Sequence, residues 1–215
     1  MSIDKLLEIF DTQEETLELL KNQIQGRFLV SDILPKIHSM KIRKKRRTHL
    51  KEKLTRKISE GKVITPENFL NEITDLVGIR ILLLYPQYFK DIHDFILKLD
   101  ADQDWILHEP PTAYTWDPEM EDLFKKGLNI EKVEKKESLY TSLHYVVKPN
   151  TNSPCCEIQV RTLMEEVWGE IDHEFNYPSK NENKHLQDNL KALAKLIASG
   201  TKLTEIIYNL GQESS

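Results

Sequence analysis

The chain has 215 residues, of which 39% are hydrophobic and 30% charged, and a formal net charge of −5. It is long enough for one good-sized core with a helical extension, too short for two full domains, and composed like a globular, helix-rich protein rather than a disordered one. Net acidity argues against general affinity for nucleic acid. No stretch approaches the roughly 18 consecutive apolar residues of a membrane span, and the opening Met-Ser-Ile-Asp-Lys lacks a signal-peptide core, so the cytoplasm is the expected location and no membrane partner is expected.

From the N-terminus, Ile3, Leu6, Leu7, Phe10, Leu17, Leu20 and Ile24 recur near helical spacing, which predicts an amphipathic first helix over 3–24 that Gly26 ends. Ser31 or Asp32 is placed to cap a second helix running from Ile33 to about Ile58 and closed at Gly61. Ten of the thirty Lys and Arg residues lie between 41 and 57, where Glu52 is the only acid. Such a run serves as a solvated face, a nucleic-acid patch or a cradle for polyphosphate. The spacing of Arg43, Lys45 and Lys53 suits the last, because three cations near the entrance of the downstream domain can neutralise phosphate oxygens.

Thr65-Pro66-Glu67 supplies a cap, a first-turn proline and an acid for a short helix over 65–73. The apolar run from Leu76 to Tyr85 reads as a central strand covered on both faces, with Asp75 at its mouth. Asp75 is either a turn residue or, with Glu157 on a neighbouring strand, half of a magnesium site that shares its cation with substrate phosphates. Pro86 ends the strand, and Phe89, Ile92, Phe95, Ile96 and Leu99 then share one face of a core helix over 88–99. Trp105 to Leu107 predicts a further strand. Residues 109–127, with Pro110, Pro111, Pro118 and Gly127, are expected to be a loop with a helical turn near 118–126, whose aromatics Tyr114 and Trp116 form a lid or cover the core.

Leu139 to Val147 reads as a strand, Pro149 to Pro154 as a turn, and Cys155 to Arg161 as the antiparallel partner. The adjacent Cys155 and Cys156 cannot close a loop or supply a zinc site by spacing, and read as strand residues in a reducing compartment. Glu157, Gln159 and Arg161 alternate with Ile158 and Val160, so a carboxylate, an amide and a guanidinium share one polar face, and pairing sets Tyr140, Ser142 and His144 beside it. That face is solvated surface or a working one, with a metal or proton ligand, a base-reading amide and a phosphate clamp. Thr162 caps a helix from Leu163, with Glu165 and Glu166 in its first turns, Val167, Trp168 and Ile171 inward, and Pro178 as its stop. Residues 183–210 make a long amphipathic helix, bent near Gly200, that closes the domain or forms an oligomer interface.

Three stretches taken together, Asp75-Leu-Val-Gly-Ile-Arg80, Tyr140-Thr-Ser-Leu-His144 and Glu157-Ile-Gln-Val-Arg-Thr162 with Trp168 and His173 after it, closely resemble the synthetase domain of RelA/SpoT-type alarmone synthetases over roughly residues 30–180. The size is similar to the small single-domain branch. The resemblance implies an α/β (α+β) fold, a nucleotidyltransferase-like mixed β-sheet flanked by helices, with an N-terminal helix at 1–28, the synthetase domain at 29–180 and a C-terminal packing or oligomerisation helix at 181–215. It also implies a pyrophosphokinase that uses Mg2+ to move pyrophosphate from ATP to the ribose 3′-hydroxyl of GDP or GTP, making (p)ppGpp. By position it assigns Arg43, Lys45 and Lys53 to the ATP phosphates and Asp75 to magnesium. Glu157 becomes a second metal ligand or the group that activates the hydroxyl. Lys136 falls to a phosphate, Tyr140 to stacking on the acceptor base, and His144, Gln159 and Arg161 to the acceptor side.

The chain departs from the family's usual pattern at Ser138-Leu139, where Asn-Gly is common, at Thr141 and at His49. These changes touch the acceptor pocket more than the metal site, so two alternatives stand beside guanine. One is a toxin-type relative that pyrophosphorylates the 3′ end of tRNA, using the basic run, or makes adenosine alarmones, and is held in check by an antitoxin. The other, from a different class, is an inactive nucleotide- or RNA-binding module. A homo-oligomer through the 183–210 helix is a further implication of the resemblance.

Overall fold

The computed structural model describes residues 2–136, 138–176 and 179–213. Its centre is a six-stranded sheet in which β1 (Ser39–Lys44), β2 (Val77–Leu83), β3 (Ile106–Tyr114), β4 (Lys132–Glu134), β5 (Ser142–Lys148) and β6 (Cys156–Thr162) lie in the order β1-β2-β6-β5-β3-β4. β2 runs parallel to β6 and β3 to β4, while the other three pairings are antiparallel. Around it stand α1 (Ile3–Thr12), α2 (Glu14–Leu29), α3 (Arg47–Ser59), α4 (Phe69–Glu72), α5 (Tyr88–Ala101), α6 (Pro118–Asp122), α7 (Leu163–Asn176) and α8 (Lys184–Glu213).

Side chains alternate along each strand, so the pairing sorts residues onto two faces. One face carries Ile79, Ile81, Leu143, Tyr145, Ile158 and Val160, which are buried in one core with Leu17, Ile24 and Phe28 of α2 and Phe89, Ile92 and Ile96 of α5. Each such side chain contributes about 1.5–3 kcal/mol of burial. A one-residue slip of β6 would therefore forfeit Ile158 and Val160 and bury Glu157, Gln159 and Arg161 in their place, and this contrast fixes which residues face the other way.

The second face is polar and is roofed by α7, which touches β2 and β6, with α8 packed on α7. Thr162 and Glu165 form a capping box: the Glu165 N–H donates to Thr162 Oγ1 at 3.2 Å and the Thr162 N–H to Glu165 Oε2 at 2.8 Å. Trp168 Nε1 donates to the Leu190 carbonyl of α8. The outer side of α8 leaves Leu196, Leu203, Ile207 and Leu210 exposed.

Several elements differ from the sequence expectation. The helix predicted over 3–24 is two, because the Thr12 hydroxyl donates to the Ile9 carbonyl and the Gln13 N–H to that of Phe10, ending α1 before α2 begins. α2 then runs through Gly26 to Leu29, and Ser31 caps no helix but donates its hydroxyl to the Phe28 carbonyl. The helix predicted over 33–58 is a 3-10 turn at Leu34–Lys36, then β1, then α3, since Met40 and Ile42 alternate with Lys41 and Arg43 inside the basic run. Over 65–73 only α4 is helical, because the Asn68 side chain folds the preceding turn, accepting from the Thr65 N–H and donating to the Val63 carbonyl.

The loop expected from 109 is strand as far as Tyr114. Pro110 and Pro111, which have no N–H for a ladder, fall where the β3–β5 register shifts. Lys132–Glu134, to which the sequence pattern assigns no element, forms the edge strand β4. The helical turn expected near 118–126 is present as α6 and a π-type turn at Leu123–Gly127. Val167 points outward, 47% exposed, while Trp168 is buried. α8 is one helix through Gly200, and Pro178 lies outside the described residues.

Candidate functional site

Rows of side chains cross the polar face. Arg43, Gly78 and Glu157 stand side by side on β1, β2 and β6, and Lys41, Arg80, Gln159 and His144 form the next row on β1, β2, β6 and β5. Together with Tyr140 and Arg161 most of them line a cleft of about 610 Å³, walled on the far side by Trp168, Gly169, Asp172 and His173 of α7.

Arg161 can only donate hydrogen bonds, which gives the polar network a direction. Its Nη2 donates to the Tyr140 hydroxyl oxygen at 2.8 Å and to Gln159 Oε1 at 2.9 Å. Gln159 Nε2 donates in turn to Glu157 Oε2 at 2.8 Å. On the other arm, burial raises the Tyr140 phenol above its ordinary value, so the hydroxyl keeps its proton and donates to His144 Nε2 at 3.0 Å. That assignment leaves His144 Nδ1 as the N–H facing Glu157 Oε1 at 3.4 Å. Both arms end on Glu157. Burial works to raise the Glu157 carboxyl, but His144 and Gln159 outweigh it and hold the group below its ordinary value, ionised at neutral pH.

The aromatic residues gather around this network. Tyr140 precedes β5 rather than belonging to it, because Leu139 adopts φ 59° and turns the chain before the strand begins. Its ring lies under the Arg161 guanidinium, 4.9 Å from ring centre to Cζ. Tyr114 of β3 meets His144 edge-on at 4.8 Å, and burial, then Glu134 and Glu157, push its phenol up to about 12. Lys136 sits at the rim, its Nζ 4.3 Å over the Tyr114 ring and 3.5 Å from Glu134.

Asp75 lies at the mouth of β2, and Gly78, not Asp75, stands directly across from Glu157. Asp75 Oδ2 takes Lys45 Nζ at 2.5 Å and Oδ1 takes Lys53 Nζ at 2.8 Å. Burial works to raise this carboxyl too, but the Lys53 and Lys45 ammoniums hold it below the ordinary carboxylate value. Burial pushes the Lys45 ammonium down, against the pull of Asp75. The cluster adjoins the cleft closely enough for the Asp75 charge to act on Glu157. Asp75 and Glu157 are both ionised carboxylates and offer the hard oxygen donors that magnesium takes, so the donor chemistry fits that ion. Among the described residues no three His, Cys, Asp or Glu side chains converge into a metal site of their own.

Of the residues singled out in the sequence, Arg43, Tyr140, Glu157, Gln159 and Arg161 line the cleft; His144 lies behind Glu157, Lys136 at the rim, and Asp75, Lys45 and Lys53 beside it. Sequence reasoning gave no role to Lys41, Arg80 or Glu166. Glu166 of α7 takes Lys41 Nζ and Arg80 Nη1 at 2.7 Å each. A period-2 reading of 41–43 and 78–80 finds the two cations, whereas Glu166 looks in the sequence like any first-turn acid at a helix N-terminus.

The mixed sheet with helices on both faces and a cation-rich polar cleft on one of them is a nucleotidyltransferase-like fold, shared with the solved structures described below. The family described as the region found in RelA/SpoT proteins matches residues 42–182, and the chain belongs to that family. The small alarmone synthetase 1 from Bacillus subtilis shares the fold with a TM-score of 0.68 at 21% identity, over 98% of this chain and 97% of that one. A GTP pyrophosphokinase family protein from Streptococcus pneumoniae does so with 0.69 at 21% identity, over 100% and 97%. The Bacillus protein bound to its product pppGpp gives 0.64 at 21% identity over 91% and 92%, and bound to AMPCPP 0.63 at 20% identity over 98% and 97%. A search of curated protein sequences found no match. Among the described residues no helix is long and apolar enough to cross a membrane.

Proposed function

We propose that the chain is a magnesium-dependent pyrophosphokinase that transfers the β,γ-pyrophosphoryl group of ATP to the ribose 3′-hydroxyl of GDP or GTP. One observation carries the reading: a single sheet face joins the ionised Glu157 to the Tyr140–Arg161 pair, with the cations Arg43, Lys45 and Lys53 alongside. Membership of the RelA/SpoT family supports it, as do the AMPCPP and pppGpp complexes of the Bacillus relative.

In this reading Arg43, Lys45 and Lys53 hold the ATP phosphates. If Lys45 and Lys53 exchange Asp75 for phosphate oxygens, Asp75 and Glu157 would be the residues that hold Mg2+, and the chemistry the ion would supply there is charge neutralisation on the phosphates. The acceptor base stacks on the Tyr140 ring, which lines the cleft, and Lys136 meets the acceptor phosphates. Phosphoryl transfer is mainly positioning and charge neutralisation. The 3′-oxygen bonds to the β-phosphorus, the bridge to the α-phosphate breaks with its electron pair leaving on AMP, and the hydroxyl proton passes to Glu157. A carboxylate held below its ordinary value is a weak base, so this proton moves late, after the nucleophilic bond has begun to form.

The structure gives the tRNA alternative little support. Lys41, Lys44, Arg47 and Lys57 of the basic run, which hold no ATP phosphate in this reading, already engage Glu166, Glu14, Asp11 and the Glu72 carbonyl. Calorimetric titration with AMPCPP and with GDP, both with Mg2+, tests the two-site arrangement. Lys53→Met should weaken AMPCPP and Tyr140→Ala should weaken GDP. A folded chain that binds neither ligand contradicts the proposal.

A further inference from the structure

Glu166 enters no step above, yet its side chain is only 5% exposed and meets cations from three neighbouring strands: Lys41 of β1 and Arg80 of β2 at 2.7 Å, and Arg161 of β6, whose Nη1 lies 3.3 Å from its Oε2. Burial works to raise the Glu166 carboxyl, but Lys41 and Arg80 outweigh it and keep it ionised. One helical turn further on, Gly169 leaves the space that Arg161 occupies, since a Cβ there would stand 2.8 Å from Nη1. A first-turn acid suits the α7 dipole, but neither the burial of Glu166 nor the glycine at 169 serves α7 as a helix. A buried carboxylate costs desolvation, and glycine is among the poorer residues in a helix interior. Both make sense if the inner face of α7 is shaped to hold guanidinium groups.

We propose that Glu166 is a positioning residue. It ties Lys41 and Arg80, the neighbours of Arg43, to Arg161, and through Arg161 to Tyr140, Gln159 and Glu157, so that one carboxylate on α7 preorganises both nucleotide subsites. The pyrophosphokinase reading supplies what fills those subsites, but the geometry stands without it. Because both sides of the cleft hang on one anchor, its loss is felt on both, whereas loss of Tyr140 is felt only by the acceptor.

Three variants test this. Glu166→Gln keeps the size and removes the charge, Glu166→Asp keeps the charge with a shorter reach, and Gly169→Ala keeps every charge while improving helix propensity. In Glu166→Gln the affinities for AMPCPP and for GDP, measured separately by calorimetry, should each fall roughly tenfold or more, as for a lost charge-assisted hydrogen bond, and Glu166→Asp should recover part of both. Gly169→Ala should keep or raise the thermal midpoint and still weaken GDP. Without any nucleotide, the Nε–H signals of Arg80 and Arg161 in arginine-labelled protein should be resolved in the parent and merge with those of mobile surface arginines in Glu166→Gln. Unchanged arginine signals, or a loss confined to one ligand, would overturn the proposal. If Glu166→Gln does not fold, an unmoved Arg161 signal and unaltered GDP affinity in Gly169→Ala overturn it instead. A parent protein that binds neither nucleotide would end the pyrophosphokinase reading and leave the arginine signals to decide the positioning claim.

Discussion

Arg161 has donors and no acceptor, and Glu157 when ionised has acceptors and no donor, so every hydrogen bond between them points one way. Tyr140 has a share in this network and, in the proposed function, is also the ring on which the acceptor base stacks. The two roles separate by substitution. Tyr140→Ala removes stacking and should weaken GDP binding by about 1–3 kcal/mol with little change for AMPCPP; Tyr140→Phe keeps the ring and should lose much less. Equal losses for both ligands in calorimetry would contradict the stacking role.

At Asp75 the test is the metal. In the parent protein Mg2+ should strengthen AMPCPP binding, because the carboxylate released by Lys45 and Lys53 gains the ion. In Asp75→Asn that gain should vanish while metal-free binding persists, as titrations with Mg2+ and with a chelator would show. The variant should also be less stable by roughly 1–3 kcal/mol, below the usual 3–5 for breaking a buried pair because these groups are partly exposed. The depressed values of Asp75 and Glu157 mean that their stabilisation is fully present above the unfolded-state values of 3.8 and 4.5, and is lost as pH falls through the lower folded ones.

Among the elements, α7 links stability to pH in the opposite direction. Burial raises the Glu165 carboxyl of its capping box to about 7, against the Thr162 N–H and hydroxyl bonds and Arg161, with Asp117 adding to the rise. The fold therefore favours the protonated form, and stability from this group falls as pH rises from 4.5 to about 7 and is level beyond. Glu165→Gln can still accept the Thr162 N–H. Its thermal midpoint should match the parent near pH 4.5 and exceed it above pH 7, and a constant difference across that range would contradict the assignment.

Element by element, the strand β6 was legible because Ile158 and Val160 give period 2 against three polar residues. β1 was not, since only Met40 and Ile42 mark its inner face amid a run of cations that reads equally well as helix. Tyr140 was placed in a strand because the apolar pattern continues through Leu139. The left-handed conformation at Leu139, where the family often has glycine, has no signature in a leucine. Spacing shows the polar face of β6 and the resemblance reads it as a site, whereas the contacts of Glu166 depend on α7 lying over β2 and β6.

Over the whole molecule, one face of the sheet supplies the core and the other the site, and α8 closes the second face while leaving its own apolar row outward. Leu203 and Ile207 stand exposed in that row. If α8 mediates self-association, light scattering on the parent should give a multiple of the 25.2 kDa chain mass and Leu203→Lys with Ile207→Lys should return the monomer; a monomeric parent contradicts that reading.

Pyrophosphate transfer itself is tested most directly by tracing a label. Purified protein is incubated with Mg2+ and ATP labelled in the β-phosphate, with GDP, GTP, ATP alone and deacylated tRNA offered in parallel and Glu157→Gln as control. The proposed mechanism predicts label in a guanosine tetra- or pentaphosphate, absent from the control. Label in tRNA or an adenosine product alone, or transfer undiminished in Glu157→Gln, would contradict it.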